Sequence, residues 1–235
     1  MATYVLVHGG FHGGWCYSRV AKQLRGLGHE VYTPTLSGVG ERAHLAGQAI
    51  NLSTHVEDVV ATIISEDLTD VVLCGHSYGG MVITGVAGRV AERIRTLFYL
   101  DAAVPEDNQS VFDLRGPEAA LAFIEAASAT GLLVAPSSAQ AFQVKAENAD
   151  WVESHCTPHP IGCFIQRLRF TGKEASVQHR TYVLAERYTS PVTHAAYAKA
   201  KDLPGWKTAT LDCGHDVMVD DPGALTKLLL EELER

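Results

Sequence analysis

Short apolar runs and longer amphipathic stretches alternate along this chain, which indicates strands that alternate with helices. The runs rich in β-branched and aromatic residues, which predict strands, are 4–7, 30–32, 71–74, 97–100, 181–184 and 208–211. The stretches with apolar residues at helical spacing, which predict helices, are 15–27, 53–65, 81–94, 193–201 and 222–233. Asp221 followed by Pro222 is typical of a helix start, with the aspartate as N-cap.

Several of the predicted strands are apolar on both faces, as expected in a parallel sheet that helices cover on both sides. The fold class predicted from this order is α/β, with an open, doubly wound and mostly parallel sheet. The interval from about 104 to 178 interrupts the alternation, since it has helical patterns at 118–128 and 138–147 but no clear core strand. An insertion of this length between two sheet strands predicts a helical lid. We therefore expect a single domain, 1–235, that carries this lid insertion.

Composition narrows the function classes to which the chain can belong. Of its 235 residues, 46% are hydrophobic and 20% are charged, as in ordinary globular proteins. The net charge of −8, with no basic run, argues against nucleic acid and anionic membrane surfaces as partners.

No apolar run reaches the ~18 residues of a membrane span, and the N-terminus lacks a signal-peptide pattern. Five scattered cysteines predict no disulfide framework, so a cytoplasmic protein is expected. A homodimer is one oligomeric state that the sequence allows.

A G-x-S-x-G motif, Gly75-His76-Ser77-Tyr78-Gly79, follows one predicted strand and precedes a predicted helix. In this context such a motif forms a tight strand-to-helix turn that exposes the serine hydroxyl. The two glycines let the backbones approach each other, and the helix N-terminus favours negative charge. Without that context the motif would be an ordinary glycine-rich turn. The pattern predicts Ser77 as a nucleophile.

His215 is the candidate general base for Ser77, because a serine hydroxyl is a weak nucleophile without one. It lies between the last predicted strand and the last predicted helix. Both residues therefore fall at the carboxyl ends of parallel strands, where ligands bind in open sheets. Position alone selects His215 among eleven histidines, and a capping or surface histidine is the alternative.

A glycine-rich turn after the first strand, 8–14, can place a backbone N–H beside the nucleophile. The N–H groups of Gly10 and Tyr78 would then form an oxyanion hole. A phosphate-binding loop is the alternative. It is disfavoured because the chain has neither G-x-x-x-x-G-K nor G-x-G-x-x-G with a suitably placed acid.

These motifs together resemble the branch of the α/β-hydrolase superfamily that contains plant methylesterases, hydroxynitrile lyases and bacterial pyrethroid-type carboxylesterases. The matching stretches are VLVHGGFHGGWCY at 5–17, GHEVYTPTLSGVGER at 28–42, VVLCGHSYGGMV at 71–82 and LDCGHDVMVDDP at 211–222. The resemblance implies the α/β-hydrolase fold and assigns the oxyanion hole to Gly10 and Tyr78. It also implies that Phe11, Tyr78 and residues of the lid line the substrate pocket.

Two positions separate the lyases of this branch from its esterases. The lyases carry a lysine directly after the catalytic histidine and a threonine in the first glycine turn, where this chain has Asp216 and Gly9. A negative charge at position 216 would repel a cyanide anion. The chain is therefore expected to hydrolyse esters rather than to cleave cyanohydrins.

The acid that should orient His215 departs from the pattern of this branch. The branch has an aspartate after the penultimate strand, whereas this chain has none there and Glu186 lies one or two residues early. Asp101 ends the preceding core strand, which is the position that haloalkane dehalogenases use. Its alternative role is a helix N-cap at the entrance of the lid. We expect Asp101, ahead of Glu186, to contact Nδ1 of His215.

Histidines and cysteines gather in one part of the lid, at His155, Cys156, His159 and Cys163. Zinc sites prefer a closer repeated spacing, such as C-x₂-C with a matching second pair. No metal is expected there, and the segment is predicted to be a loop that faces the pocket.

The function predicted from these residues is a cofactor-free serine hydrolase that cleaves carboxylic esters through an acyl-enzyme. The substrate is expected to be a small apolar or aromatic molecule, because the lid is rich in aromatic residues. These are Phe123, Phe142, Trp151 and Phe164. The alternatives are a lyase, a lactonase or a pathway-specific biosynthetic enzyme on the same scaffold, or a ligand receptor with slow turnover.

Overall fold

The computed structural model describes residues 1–47 and 49–234. Within these residues the chain forms eight strands: β1 Thr3–Val7, β2 Glu30–Tyr32, β3 Val71–His76, β4 Ile94–Leu100, β5 Leu133–Val134, β6 His159–Pro160, β7 His179–Ala185 and β8 Trp206–Leu211. Six of them form one parallel sheet in the order β2-β1-β3-β4-β7-β8. Strands β5 and β6 pair antiparallel outside this sheet.

The same residues form ten α-helices: α1 Ser18–Gly26, α2 Leu52–Ser65, α3 Gly79–Val90, α4 Val111–Arg115, α5 Pro117–Ser128, α6 Ala146–His155, α7 Gly162–Ile165, α8 Pro191–Asp202, α9 Val217–Asp220 and α10 Pro222–Glu231. Short 3₁₀ helices lie at Gly14–Tyr17, Gly40–Leu45, Ala91–Arg93, Lys173–Ser176 and Glu232–Glu234. Asp221 accepts a hydrogen bond from the Ala224 N–H at 3.0 Å, so the predicted start of α10 is confirmed. Among the described helices, none combines the length and the hydropathy that crossing a bilayer requires.

The sheet explains the apolar runs of the sequence. Every residue of β3 is buried, and β3 lies between β1 and β4 in the sheet. The predicted α/β fold with a parallel sheet is confirmed. Strand β1 has β2 on one side and β3 on the other, so the chain changes direction across the sheet at this point. Such a reversal leaves a crevice beyond the carboxyl ends of the strands.

The insertion at 104–178 differs in part from its prediction. The helix expected over 118–128 is confirmed as α5, but the helix expected over 138–147 is wrong, since α6 begins only at Ala146. Gln143 has a φ of +56°, a left-handed conformation that a helix cannot contain. The N–H of Lys145 then bonds to the Asp220 carboxylate at 2.8 Å, which draws the backbone away from a helical path.

Candidate active site

A cavity of about 100 Å³ lies beyond the carboxyl ends of the sheet strands. Ser77 follows β3, His215 follows β8 and Gly10 follows β1, and all three line this cavity. Tyr78, the residue after Ser77, lines it as well. The parallel sheet therefore gathers side chains and backbone groups that are far apart in sequence.

Ser77 occupies a strained turn between β3, which ends at His76, and α3, which begins at Gly79. Its φ is +53°, in the left-handed region that L-residues rarely adopt. The Ser77 N–H donates to the Leu100 carbonyl at 3.2 Å, and the Ser77 carbonyl accepts from the Ala103 N–H at 3.0 Å. These bonds hold the strained backbone, and the turn presents the serine side chain to the cavity.

Gly75→Ala is expected to destabilise the protein, because glycine at this position lets β3 pass close to the start of α3. A Cβ at residue 75 would lie 2.5 Å from the Gly79 carbonyl oxygen. Overpacking of this kind costs about 1–3 kcal/mol of the free energy of unfolding, which urea denaturation measures.

The control for this substitution is Gly26→Ala in α1, where a Cβ meets nothing within 4 Å. Alanine there is expected to leave the free energy of unfolding unchanged or to raise it by up to about 1 kcal/mol. Equal stability of the Gly75→Ala and Gly26→Ala proteins would contradict the explanation by close approach.

The turn after β1 leaves the Gly10 N–H without a protein partner. His8 is neutral, because its Nδ1 donates to the Gly9 carbonyl at 2.8 Å while its Nε2 accepts from the Leu36 N–H at 3.0 Å. Burial lowers the pKa of His8 to about 3. The Gly9 carbonyl and the Gly10 N–H belong to one planar trans peptide and point in opposite directions. In the described part of the chain, the N–H groups of Gly10 and Tyr78 donate to no protein acceptor, so both are free for a ligand.

Phe11 and Tyr78, expected from the resemblance to line the pocket, are both at the cavity wall. Phe11 has a φ of +70°, and its N–H donates to Nδ1 of His159 at 3.2 Å. The Tyr78 hydroxyl donates to Nδ1 of His55 at 3.0 Å, so its polar end is tied to the core. A buried histidine therefore holds each of these residues, Phe11 through its backbone N–H and Tyr78 through its hydroxyl.

His215 is buried and fixed from several sides. Its Nδ1 donates to an Asp101 carboxylate oxygen at 2.6 Å. The ring of Tyr188 stacks on it with centroids 4.1 Å apart and planes at 27°. Nε2 of His76 donates to the His215 backbone carbonyl at 3.0 Å. With the proton on Nδ1, Nε2 keeps the lone pair that a general base needs.

Asp101, and not Glu186, is the carboxylate that reaches His215. It follows β4 with a φ of +41°, is fully buried, and accepts a second hydrogen bond from the Ala185 N–H at 3.3 Å. Glu186 is exposed. The alternative role of Asp101 as a helix N-cap is wrong, because the next helix, α4, is capped by Ser110.

The segment 104–178, predicted to be a lid, contributes three of its four predicted aromatic side chains to the cavity wall: Phe123, Phe142 and Phe164. Trp151 packs elsewhere, with its ring perpendicular to that of Trp15 at a centroid distance of 5.0 Å. The wall near Ser77 and His215 is therefore mainly apolar, as expected for a small apolar or aromatic substrate.

Sequence reasoning missed three residues of this site. His76 stands inside the G-x-S-x-G motif, and that proximity to Ser77 was the available signal. Tyr188 lies close to where the related branch carries its acid, but nothing in the sequence indicates that it stacks on His215. Arg115 also lines the cavity, and its guanidinium lies 5.1 Å from the centre of the Phe123 ring. No pattern in the sequence indicates this position.

Three buried side chains have potential metal-ligand atoms within 4.8 Å of one another: His55, His159 and Cys163. Nε2 of His55 donates to a backbone carbonyl at 2.8 Å, so its lone pair is on Nδ1 and accepts from Tyr78. His159 uses the lone pair on its Nδ1 for the Phe11 N–H. A metal would have to take these lone pairs and release both aromatic residues. Residues 155–156, considered together with this group from the sequence, lie outside it.

The structure corrects the expectation for Asp216. Its carboxylate is buried and accepts a hydrogen bond from Nε2 of His12 at 3.0 Å. The described residues that line the cavity include His12 but not Asp216. A charge that is paired and set behind the wall does not repel an anion in the cavity, so that argument against cyanide chemistry is wrong. The glycine at position 9 remains a difference from the lyases.

This chain is similar to known proteins in three respects: its family, its full-length sequence and its fold. The sequence model of the alpha/beta hydrolase family matches residues 4–228. The chain is 46% identical over 239 residues to the carbendazim hydrolyzing esterase of Nocardioides sp. (strain SG-4G), which covers 97% of this chain and 98% of that protein. Similar solved structures include an extracellular alpha/beta-hydrolase from a Paenibacillus species, with a TM-score of 0.87, 25% identity and 99% of each chain covered. A methylesterase from Arabidopsis has a TM-score of 0.77 and 19% identity, with 100% of this chain and 99% of that chain covered. These matches confirm the resemblance that the motifs indicated.

Proposed function

The chain belongs to the alpha/beta hydrolase family, and on this premise we propose that it is a serine carboxylesterase acting on small esters. The observation that carries the proposal is the 2.6 Å contact between His215 and Asp101, beside a cavity that Ser77 also lines. Acyl transfer from an ester requires a nucleophile, a base and an acid that orients the base. The full-length match to an esterase supports the same reaction class.

Acylation uses Ser77, His215 and Asp101 in distinct roles. As Oγ of Ser77 attacks the ester carbonyl carbon, Nε2 of His215 takes its proton, and Asp101 stabilises the imidazolium that forms. The N–H groups of Gly10 and Tyr78 donate to the oxyanion. The tetrahedral intermediate then collapses to the acyl-enzyme, and His215 returns the proton to the leaving alcohol.

Deacylation repeats the same proton transfers with water. His215 removes a proton from a water molecule as that water attacks the acyl carbonyl, and the oxyanion forms again at the same two N–H groups. Collapse releases the carboxylic acid, and Ser77 recovers its proton from His215. No cofactor takes part in either half of this reaction.

The substrate we propose is a small molecule with an apolar or aromatic group next to the ester. Aromatic side chains of the lid line a cavity of about 100 Å³, and a wall of this kind favours an apolar or aromatic group of the substrate. The related Nocardioides protein hydrolyses carbendazim, so carbendazim is the first non-model compound to test.

Purified protein is expected to release p-nitrophenol from p-nitrophenyl acetate with an initial burst, because the acyl-enzyme forms faster than water removes it. A fluorophosphonate should label Ser77 covalently, as located by peptide mass spectrometry. Carbendazim turnover is followed in parallel by chromatography. Cyanohydrin cleavage without ester turnover would indicate a lyase instead. Tight stoichiometric ligand binding with neither turnover nor label would indicate a receptor.

The proposal also covers the domain organisation of the chain and its location in the cell. We propose that residues 1–235 form one domain and that 104–178 is its lid, because helices of this segment supply part of the cavity wall. We also propose a cytoplasmic location, which the absence of any disulfide among the five cysteines, all of them free, supports.

A further inference from the structure

His12 lies between two hydrogen-bond acceptors of the site. Its Nδ1 contacts the Gly10 carbonyl at 2.7 Å, and its Nε2 contacts the Asp216 carboxylate at 3.0 Å. The side chains of His12 and Asp216 are 1% and 0% exposed. A carbonyl oxygen and an ionised carboxylate can only accept hydrogen bonds. Both ring nitrogens must therefore carry a proton, and His12 is an imidazolium.

The surroundings of the pair favour its charged form. Burial alone would raise the pKa of the Asp216 carboxyl, but the charge and the hydrogen bond of His12 lower it to about 2. Burial alone would lower the pKa of His12, but the charge of Asp216 raises it above its ordinary value of 6.5. The His12 ring also stacks on Trp15, with centroids 5.2 Å apart and planes at 23°, a position that stabilises a cation.

His8 and His12 hold the two peptide groups on either side of the Gly10 Cα. His8 binds the Gly9 carbonyl, which shares its peptide plane with the Gly10 N–H. His12 binds the Gly10 carbonyl, which belongs to the next peptide plane. Because Phe11 then has a φ of +70°, the turn needs such contacts to persist. The position of the Gly10 N–H depends on both histidines.

Asp216 connects this turn to the base. It directly follows His215, so its ion pair with His12 joins the loop after β1 to the loop after β8. Among the described residues, nothing donates a hydrogen bond to its other oxygen, Oδ1. A buried carboxylate that loses its charged partner is strongly destabilised, so Asp216 stays with His12. One ion pair thereby joins the loop that carries the Gly10 N–H to the loop that carries His215.

We propose that Asp216 and His12 are positioning residues of the oxyanion hole. Asp216 keeps both nitrogens of His12 protonated, and the imidazolium holds the Gly10 turn in the geometry that the transition state requires. This inference rests on the proposed function. If the pair served only the fold, its removal would change the stability of the protein. It would not change how much more tightly the site binds the transition state than the substrate.

The charge of His12 is tested without any activity measurement. Nitrogen-15 NMR of protein labelled in its histidine side chains, at about pH 7, is expected to show His12 doubly protonated and His8 singly protonated. In Asp216→Asn, the asparagine amide can donate to Nε2, so His12 is expected to be neutral. The variant His12→Gln assigns the signal by its loss. A neutral His12 in the unmodified protein would overturn the proposal.

Kinetics test the positioning role. Asp216→Asn is expected to lower kcat for p-nitrophenyl acetate about tenfold and to change KM less than about twofold, because a charge-assisted hydrogen bond to Gly10 becomes a weaker neutral one. A boronic acid forms a tetrahedral adduct on Ser77 with an oxygen in the oxyanion hole, so its affinity should fall by a similar factor. His12→Gln should lose at least as much, up to about 10²-fold.

The matched control is Asp212→Asn, on the same loop. This carboxylate is 74% exposed and pairs with Arg187 at the surface, so its removal is expected to change kcat less than about twofold.

If Asp216→Asn lowers only the melting temperature, with kcat and boronic-acid affinity unchanged, the pair is structural and the proposal fails. If Asp216→Asn does not fold, the NMR result on unmodified protein and the His12→Gln kinetics still decide it. Absent turnover and absent labelling of Ser77 in the unmodified protein would defeat the esterase proposal separately.

Discussion

Ser77→Ala is expected to lower kcat for p-nitrophenyl acetate by about 10⁶-fold, because the acyl-enzyme can no longer form. The turnover that remains comes from binding and from the N–H groups of Gly10 and Tyr78, which in comparable enzymes leave about 10³–10⁴ over water. The variant keeps a Cβ, so its backbone bonds to Leu100 and Ala103 are unchanged. Steady-state kinetics measure the loss, and fluorophosphonate labelling should disappear with it.

Ser77→Gly separates the chemistry of this position from its backbone strain. It should be as inactive as Ser77→Ala, but glycine adopts the observed φ of +53° without the cost of about 1–2 kcal/mol that L-residues incur there. Part of this gain is offset because glycine loses more entropy on folding. The glycine variant is therefore expected to match or exceed the alanine variant in free energy of unfolding. Turnover by Ser77→Ala within tenfold of the unmodified rate would show that another group is the nucleophile.

The sheet could be predicted because burial on both faces leaves a simple pattern in the sequence. Strand β3 is buried at every position, and its residues 71–74 form an unbroken apolar run that the sequence shows. The segment 104–178 has no such pattern. Strands β5 and β6 have two residues each, and the helix expected over 138–147 is interrupted at Gln143 without a glycine or proline to indicate it. Elements this short are set by tertiary contacts and not by periodicity.

The positions of Ser77 and His215 at one edge of the sheet could be inferred because motif and strand order fix backbone positions. The contact of His12 with Asp216 could not, since it joins residues 204 positions apart. Sequence reasoning treated position 216 as a free charge in the pocket. Only the packing shows that its charge is paired and lies behind the wall. Contacts of this kind depend on how two loops meet, which no local pattern records.

The geometry around Asp101 determines what an asparagine would do there. Oδ1 accepts from the Ala185 N–H at 3.3 Å, and Oδ2 accepts from Nδ1 of His215 at 2.6 Å. An asparagine would turn its oxygen to Ala185, because that N–H can only donate. Its NH₂ group would then face Nδ1 of His215. The imidazole would have to accept there and carry its proton on Nε2, the nitrogen that takes the proton of Ser77 in the proposed mechanism.

Asp101→Asn is therefore expected to lower kcat about 10⁴-fold, as loss of the correct histidine tautomer does in a serine hydrolase of known mechanism. The fold should persist, because the asparagine keeps both hydrogen-bond positions filled. Kinetics with p-nitrophenyl acetate measure the loss. The matched control is Glu186→Gln, whose side chain is exposed one residue beyond β7, one or two residues before the position at which the resemblance places the acid. Its kcat should change less than about twofold. A large loss in Glu186→Gln with near-normal turnover in Asp101→Asn would mean that the acid reaches His215 from the penultimate strand after all, by a rearrangement of the loop that follows β7.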